Sequence, residues 1–253
     1  MSQSYMPEDA PLVLLAFLGT ALALVLLTAG VVLSFLFRMR RLAKWLALTG
    51  LAGGLGYLAL LLAFSLQSEE KVLKLGDRKY FCEMDCHLAY SIENVSTAKT
   101  LGNPSHATNA AGAFSIVTVK TWFDPNTIAS FRGNAPLTPN PREVFVVDQS
   151  GRRYGPSPAG LGALEEERGG PSNPLSRELR PGESYTTTLV FDLPAGTRQP
   201  RFFLGDPPGV ENLLIGHENS PFHKKIYFSL EPATPRNAGA RLLGGRVVSE
   251  AKA

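Results

Sequence analysis

The stretch LVLLAFLGTALALVLLTAGVVLSFLF, residues 12–37, carries no charged side chain, and it decides the architecture of this chain. A second uncharged run, WLALTGLAGGLGYLALLLAFSL, follows at residues 45–66. About twenty apolar residues are enough for a helix to cross the hydrocarbon core of a bilayer, so each run is long enough. The sequence therefore predicts a transmembrane helical hairpin over residues 12–66.

The segment between the two runs, RMRRLAK at residues 38–44, has four positive charges and no negative charge. Cytoplasmic loops collect Lys and Arg, so we expect this loop on the cytoplasmic side of a membrane. Residues 1–11 and the chain after the second run then lie outside. The sequence thus predicts a two-pass protein of the inner (plasma) membrane, with both termini extracytoplasmic and the lipid bilayer as its first partner.

A signal peptide or a pair of soluble core helices could also produce apolar runs. A cleaved signal peptide begins with a positively charged region and has an apolar core of about 7–15 residues. Here the first Lys or Arg is Arg38, and the first run is much longer than such a core. The core helices of soluble proteins normally keep a polar face, which neither run has. Charged residues inside spans mark ion and proton pathways, and their absence from these runs favours an anchor over a transporter.

Small residues along the two runs predict how the helices pack. Gly50 and Gly54 have the small-xxx-small spacing that lets helix backbones approach closely in lipid. Gly19 and Gly30 offer a matching surface on the first run. We expect these glycines to lie where the two helices meet, although the same surface could equally face another subunit.

Residues 72–232 are predicted to form one extracytoplasmic β domain, and residues 233–253, rich in Ala, Gly and Arg, a flexible tail. Apolar residues alternate with polar ones at 184–191 and 225–231, which places one face of each strand in a core. Further strands are predicted at 88–95, 113–123, 144–147 with 152–154, and 201–204. Several short strands separated by turns indicate a sandwich or a barrel.

Two further features of this domain are a Pro-rich segment and a low net charge. Residues 155–174 are rich in Pro and are predicted to form a long loop, with one helical turn at 161–167. The formal net charge of the chain is +3, and four positive charges lie in the loop at 38–44. The exported domain is therefore close to neutral, which argues against nucleic acid as a partner.

Two motifs resemble a known family. EVFVVDQSGRRY at residues 143–154 resembles the F-x-V-x-D-x-x-G-x-x-Y hairpin of DUF4352-type domains. LRPGESYTTTLVFDLP at residues 179–194 is similar to the L-x-P-G-E … L-V-F-D-V-P segment of that family. The resemblance implies an extracytoplasmic immunoglobulin-like β-sandwich on a two-helix membrane anchor. The family carries no agreed catalytic residues, so the resemblance implies no catalytic site.

The two cysteines of the chain, Cys82 and Cys86, lie in YFCEMDCHLAYSI at residues 80–92. Alternate residues of this segment are apolar, which is typical of one straight strand with Lys79 on its outer face. Four residues along such a strand separate two Cα atoms by about 13 Å, whereas a disulfide needs about 4.4–6.8 Å. A turn at residues 83–85 would permit the bond, and an oxidising compartment favours it.

A metal site is the third interpretation of the cysteines. Thiolate and imidazole ligands favour copper or zinc. The candidate ligands are Cys82, Cys86, His217 and His223, with Met84 or His87 as an extra ligand. Free thiols, a disulfide and a metal site all stay open on the sequence alone.

The predicted function is non-enzymatic. No G-x-S-x-G elbow is present to support a hydrolase, and we predict neither a catalytic residue nor a cofactor. A tether concentrates a weak binder near membrane partners, which favours binding or scaffolding with another membrane or extracytoplasmic protein, as an accessory subunit. The alternative is binding or delivery of copper or zinc through the Cys/His cluster.

Overall fold

The computed structural model describes residues 4–6, 10–81, 87–128 and 131–231. Within these ranges, two helices, α1 (Ala10–Leu36) and α2 (Arg40–Gln67), are long and apolar enough to cross a membrane. α2 begins at Arg40, so the predicted loop at 38–44 shrinks to residues 37–39. Arg and Lys are good helix formers, which explains why the basic residues continue the helix instead of interrupting it.

The contact between α1 and α2 uses some of the expected glycines. A Cβ atom added to Gly30 would lie 3.1 Å from Cδ1 of Leu46, and one added to Gly50 would lie 3.7 Å from Leu27. Gly19 and Gly54 have no such neighbour within 4 Å. Contact between the two helices is therefore confirmed for Gly30 and Gly50, and Gly19 and Gly54 lie away from it.

The described strands form two five-stranded sheets. In chain order they are β1 (Ser4–Tyr5), β2 (Lys71–Leu73), β3 (Arg78–Phe81), β4 (Leu88–Leu101), β5 (Thr108–Phe123), β6 (Glu143–Val147), β7 (Arg153–Tyr154), β8 (Ser184–Leu193), β9 (Arg201–Gly205) and β10 (Ile226–Ser229). The first sheet has the order β1-β3-β4-β5-β8, and the second has the order β2-β10-β9-β6-β7. Every strand predicted after residue 100 is confirmed.

The two sheets pack face to face around one apolar core. β5 contributes Val117, Val119 and Phe123 to it, and the facing β9 contributes Phe202 and Leu204. Burial of apolar surface at roughly 25 cal/mol per Å² is the main force that holds such layers together. The domain is thus a two-sheet β structure, as the alternating pattern predicted.

The segment before the helices also belongs to this domain. Ser4 and Tyr5 pair in parallel with Arg78 and Lys79 of β3. The chain enters α1 and leaves α2 at the same end of the hairpin, and both ends join the β domain. A strand of two residues is too short to show the alternation of apolar and polar side chains from which strands are predicted.

The straight strand predicted through residues 80–92 is wrong. β3 ends at Phe81, β4 begins at Leu88, and these two residues pair in an antiparallel register. The chain therefore reverses direction between them. Alternation of apolar residues indicates which face of the sheet a side chain lies on, but it does not indicate the direction of the strand. The pattern therefore could not predict that the chain reverses. Cys82 and Cys86 themselves lie outside the described residues.

The hairpin of β6 and β7 explains the motif at residues 143–154. Oδ1 of Asp148 accepts hydrogen bonds from the backbone N–H groups of Ser150 and Arg152 at 2.8 and 3.0 Å. Oδ2 of Asp148 accepts a hydrogen bond from the Tyr154 hydroxyl at 2.9 Å. Gly151 has φ +80°, which glycine adopts at no steric cost. Asp, Gly and Tyr at this spacing therefore build one turn.

A helix replaces most of the predicted loop at 155–174. α3 (Pro158–Arg168) begins after Ser157, whose Oγ accepts a hydrogen bond from Gly160 N at 3.1 Å, and ends before Gly169 with φ +76°. Ser before Pro and a Gly at the end are the usual boundary signals. α3 covers a second apolar cluster on the first sheet, formed by Leu101, Phe114, Ile116, Ala163, Leu164 and Val190.

Candidate functional site

A buried ion pair lies between the two sheets. The ammonium of Lys79 on β3 lies 2.8 and 2.9 Å from the carboxylate oxygens of Glu218, and the side chains are only 2% and 9% exposed. Lys79 Nζ also donates a hydrogen bond to the carbonyl of Leu204 on β9 at 2.7 Å. One side chain of the first sheet thus binds both a strand of the second sheet and a carboxylate from a distant part of the chain.

The surroundings of Lys79 are aromatic. Its ammonium lies 5.1 Å from the ring centre of Phe81 and 5.0 Å from that of Phe203. Burial lowers the pKa of Lys79, and the negative charge of Glu218 opposes that shift. A buried charge is stable only when it is paired and hydrogen-bonded, and Glu218 and Leu204 meet that need here.

Glu218 belongs to the connection between β9 and β10, residues 206–225, which we call the β9–β10 loop. Asp206 at its start forms an ion pair with Arg142, and Oδ2 of Asp206 lies 3.4 Å from Nε2 of His217. Lys225 at its end donates a hydrogen bond to Asn219 Oδ1 at 2.8 Å. Ion pairs and hydrogen bonds therefore fix the loop to the domain along its length.

Two pKa shifts follow from this arrangement. Burial raises the pKa of Asp206, but the hydrogen bond from His217 and the positive charge of Arg142 outweigh burial, so the pKa lies below its usual range. Burial lowers the pKa of Lys225, and the charge of Glu218 opposes it. We call the six side chains Lys79, Arg142, Asp206, His217, Glu218 and Lys225 the ion cluster.

The β9–β10 loop also contacts the helical hairpin. The hydroxyl of Tyr57 on α2 donates a hydrogen bond to the carbonyl of Leu213 at 2.7 Å. The backbone N–H of Lys224 donates to Oγ of Ser68, which directly follows α2, at 2.8 Å. The same loop thus touches the apolar helices on one side and the core of the β domain on the other.

The two predicted histidine ligands lie in this loop with their rings engaged. His217 accepts a hydrogen bond from Asn219 N at Nδ1, at 3.1 Å, while its Nε2 faces Asp206. His223 Nδ1 lies 2.7 Å from the carbonyl of Lys224, and burial lowers the pKa of His223. In the part of the chain that the structure describes, no group of three His, Cys, Asp or Glu side chains is arranged to hold a metal.

The other predicted ligands are Cys82, Met84, Cys86 and His87. Cys82, Met84 and Cys86 lie outside the described residues, so copper or zinc binding stays a prediction. His87 is buried directly before β4, and its ring stacks on Phe123 with 4.8 Å between the ring centres.

Sequence reasoning missed the centre of the site. Lys79 was expected on the solvent face of a strand, which is wrong, because β3 turns this side chain toward the second sheet. Glu218 stands between a His and an Asn in a loop without periodicity, and nothing in that pattern signals a buried carboxylate. The two residues are 139 positions apart, so only the tertiary structure brings them together.

No family model and no curated protein matches this chain. Two solved structures are similar to it. One is a conserved hypothetical protein from Bacillus anthracis, with 16% identity and a TM-score of 0.35, covering 49% of this chain and 87% of that one. The other is a secreted protein from Mycobacterium tuberculosis, with 13% identity and a TM-score of 0.36, covering 56% of this chain and 100% of that one. Similarity at this level assigns no function, and the resemblance to DUF4352-type domains stays a prediction.

Proposed function

We propose that this chain is a two-pass protein of the plasma membrane whose extracytoplasmic, immunoglobulin-like sandwich binds or scaffolds a neighbouring protein without catalysis. Three observations support the membrane setting. Both α1 and α2 are long and apolar enough to span a bilayer. The short turn between them is followed by basic residues, which favour the cytoplasmic side. The pairing of β1 with β3 keeps the N-terminal segment on the same side as the domain.

The observation that carries the scaffolding role is the double attachment of the β9–β10 loop. Its backbone is hydrogen-bonded to Tyr57 and Ser68 at the hairpin, while Glu218 is ion-paired to Lys79 inside the domain. A flexible tether would let the domain turn freely above a membrane. Contacts on both sides of one loop favour a fixed orientation, which suits a module that presents the same face to its partner.

The outer face of the first sheet is the surface we assign to that partner. Thr118, Lys120 and Trp122 on β5 alternate with core residues and therefore point away from the second sheet. The guanidinium of Arg78 lies 4.2 Å from the ring centre of Trp122 on this face. Trp and Arg are the residues most enriched in the energetic centres of protein interfaces. α3 covers only the other part of the face, around Phe114.

Site-specific photocrosslinking in intact cells tests this function. A photoreactive benzoylphenylalanine in place of Lys120 reports on the outer face, and one in place of Arg152 is the matched control. Arg152 is exposed in the turn between β6 and β7, two strands of the second sheet. We expect one discrete adduct from position 120 and none from position 152. The adduct should also weaken in a Trp122→Ala background.

The opposite results would contradict the proposal. If position 120 gives no adduct, or if both positions give the same adducts, the outer face has no specific partner. If alkaline carbonate extracts the full-length protein from membranes, the helices do not anchor it.

A further inference from the structure

The β9–β10 loop exposes large apolar side chains. Val210 is 56% exposed, Leu213 is 52% exposed and Phe222 is 71% exposed. The first half of the loop reads PPGVENLLIG at residues 207–216, in which only Glu211 is charged. Isolated apolar residues are common on protein surfaces, but a group of them on one protruding segment marks an interaction site.

The depth of this segment along α2 indicates what it contacts. Leu213 accepts its hydrogen bond from Tyr57, ten residues before the end of α2 at Gln67. At 1.5 Å per residue, Tyr57 lies about 15 Å below that helix end. α2 has 28 residues and is therefore about 42 Å long, roughly 12 Å more than the hydrocarbon core of a bilayer. With that excess shared between the two helix ends, Tyr57 lies about 9 Å inside the hydrocarbon core, which carries the loop below the membrane surface.

The backbone of the loop is suited to such a place. Residues Val210–Leu213 form a 3₁₀ turn, in which Asn212 N donates to Gly209 O at 3.2 Å and Leu214 N donates to Glu211 O at 3.1 Å. Backbone groups in lipid need internal partners, since no water is present to replace them. The carboxylate of Glu211 is costly in hydrocarbon, which limits the turn to the boundary between headgroups and acyl chains.

The second half of the loop fits the headgroup level. Lys224 is hydrogen-bonded to Ser68 directly after the end of α2, and Phe222 is two residues away. Phe222 has φ +65°, an unfavourable backbone conformation for a residue with a large side chain. Phe, Trp and Leu side chains are typical of the apolar face of segments that lie in a membrane interface, and lysines extend their charged ends toward the headgroups and water.

We propose that the β9–β10 loop inserts into the outer leaflet, with Val210 and Leu213 among the upper acyl chains and Phe222 at the headgroup level. The ligand of this surface is bilayer lipid. The inference rests on the proposed membrane anchoring and adds a second contact with the bilayer beyond the two helices. Because the ion cluster fixes the loop to the sandwich, lipid contact sets the height and tilt of the domain above the membrane.

Tryptophan fluorescence in vesicles tests this inference. The full-length protein, with Trp45→Phe and Trp122→Phe to remove the native signal, is placed in vesicles of phosphatidylcholine and phosphatidylglycerol. In half of the samples the phosphatidylcholine acyl chains are brominated. Leu213→Trp and Val210→Trp report on the loop, and Arg152→Trp, exposed at the far end of the second sheet, is the matched control.

We expect brominated lipid to reduce the emission of both loop variants about twofold, since a segment inserted by about 5–10 Å lies beside the acyl chains. Emission from Arg152→Trp should not change. The inference is overturned if the protein floats with the vesicles but the loop variants emit equally in plain and brominated vesicles. Failure of the protein to float with the vesicles instead overturns the proposed anchoring, and the inference with it.

Discussion

Lys79 and Glu218 form a buried ion pair, 2.8 Å between Nζ and Oε1, that joins the first sheet to the loop resting on the helical hairpin. The lysine comes from the third strand and the glutamate from a loop without regular alternation. The pair therefore connects three parts of the molecule, namely both sheets and the β9–β10 loop. It is one of the contacts that fix the loop, and with it the helical hairpin, to the sandwich.

Removal of one partner of this pair should destabilise the β domain strongly. We expect Lys79→Met to cost about 3–5 kcal/mol in the free energy of unfolding, because the Glu218 carboxylate is left buried without its partner. The double variant Lys79→Met with Glu218→Leu should recover most of that loss, since an apolar pair replaces both charges. Denaturant unfolding of the detergent-solubilised protein measures both. Equal stability of the single and double variants would contradict a coupled pair.

The helix α3 offers a test of close packing with its own control. A Cβ atom at Gly160 would lie 2.8 Å from Cγ1 of Val190 and 2.9 Å from Cε1 of Phe114. We therefore expect Gly160→Ala to cost about 1–3 kcal/mol through overpacking. Gly162, on the same helix, has no neighbour within 4 Å of such an atom, so Gly162→Ala should stabilise the helix by up to about 1 kcal/mol. Thermal unfolding compares the two, and similar effects of both changes would show that α3 does not pack on Val190.

The stability of the fold at acidic pH should depend on the turn that Asp148 forms. The side-chain hydrogen bond from Ser150 is the largest of several that lower the pKa of Asp148 from 3.8 to about 2. A folded pKa below the unfolded value means that the carboxylate stabilises the fold above about pH 4, and that this contribution is lost as the pH falls toward 2.

Titration by NMR checks this pKa directly. We expect Ser150→Ala to move the pKa of Asp148 upward, toward its ordinary value, because the hydroxyl donor is gone. Gln149→Ala is the control, since the side chain of Gln149 accepts a hydrogen bond from Arg198 N and does not bind Asp148. An unchanged pKa in the Ser150 variant would show that the backbone donors and the Tyr154 hydroxyl set it without Ser150.

The state of Cys82 and Cys86 can be predicted from the strands on either side. The antiparallel pairing of Phe81 with Leu88 removes the objection that a straight strand holds the two thiols apart. In an oxidising compartment we expect a disulfide, so thiol titration of the unfolded protein should find no free thiol before reduction and two after it. Cys82→Ser should expose one free thiol in the unreduced protein.

Metal analysis of the reduced protein separates the remaining alternatives. Stoichiometric copper or zinc that is lost in both Cys82→Ser and His217→Ala would favour the metal site over the disulfide. Two free thiols without reductant and without metal would favour a pair of reduced cysteines.

Periodicity predicted the parts of this protein in which neighbouring residues share one environment. Uncharged runs predicted the two helices, and alternation predicted the strands at 184–191 and 225–231, because burial of one face repeats at short range. The boundary signals Ser157 and Gly169 were present in the sequence, yet only one turn of α3, at 161–167, was predicted, because Pro and Gly residues obscured its apolar face.

The candidate site depends on contacts that form only in the folded protein. The sequence predicts two apolar spans, a β domain and the turn at Asp148, since each depends on residues close together in the chain. It did not determine the direction of the chain after Phe81, the inward position of Lys79 or its pairing with Glu218. Those depend on the packing of strands and loops distant in sequence, where a buried charge is tolerated only if its partner arrives from elsewhere.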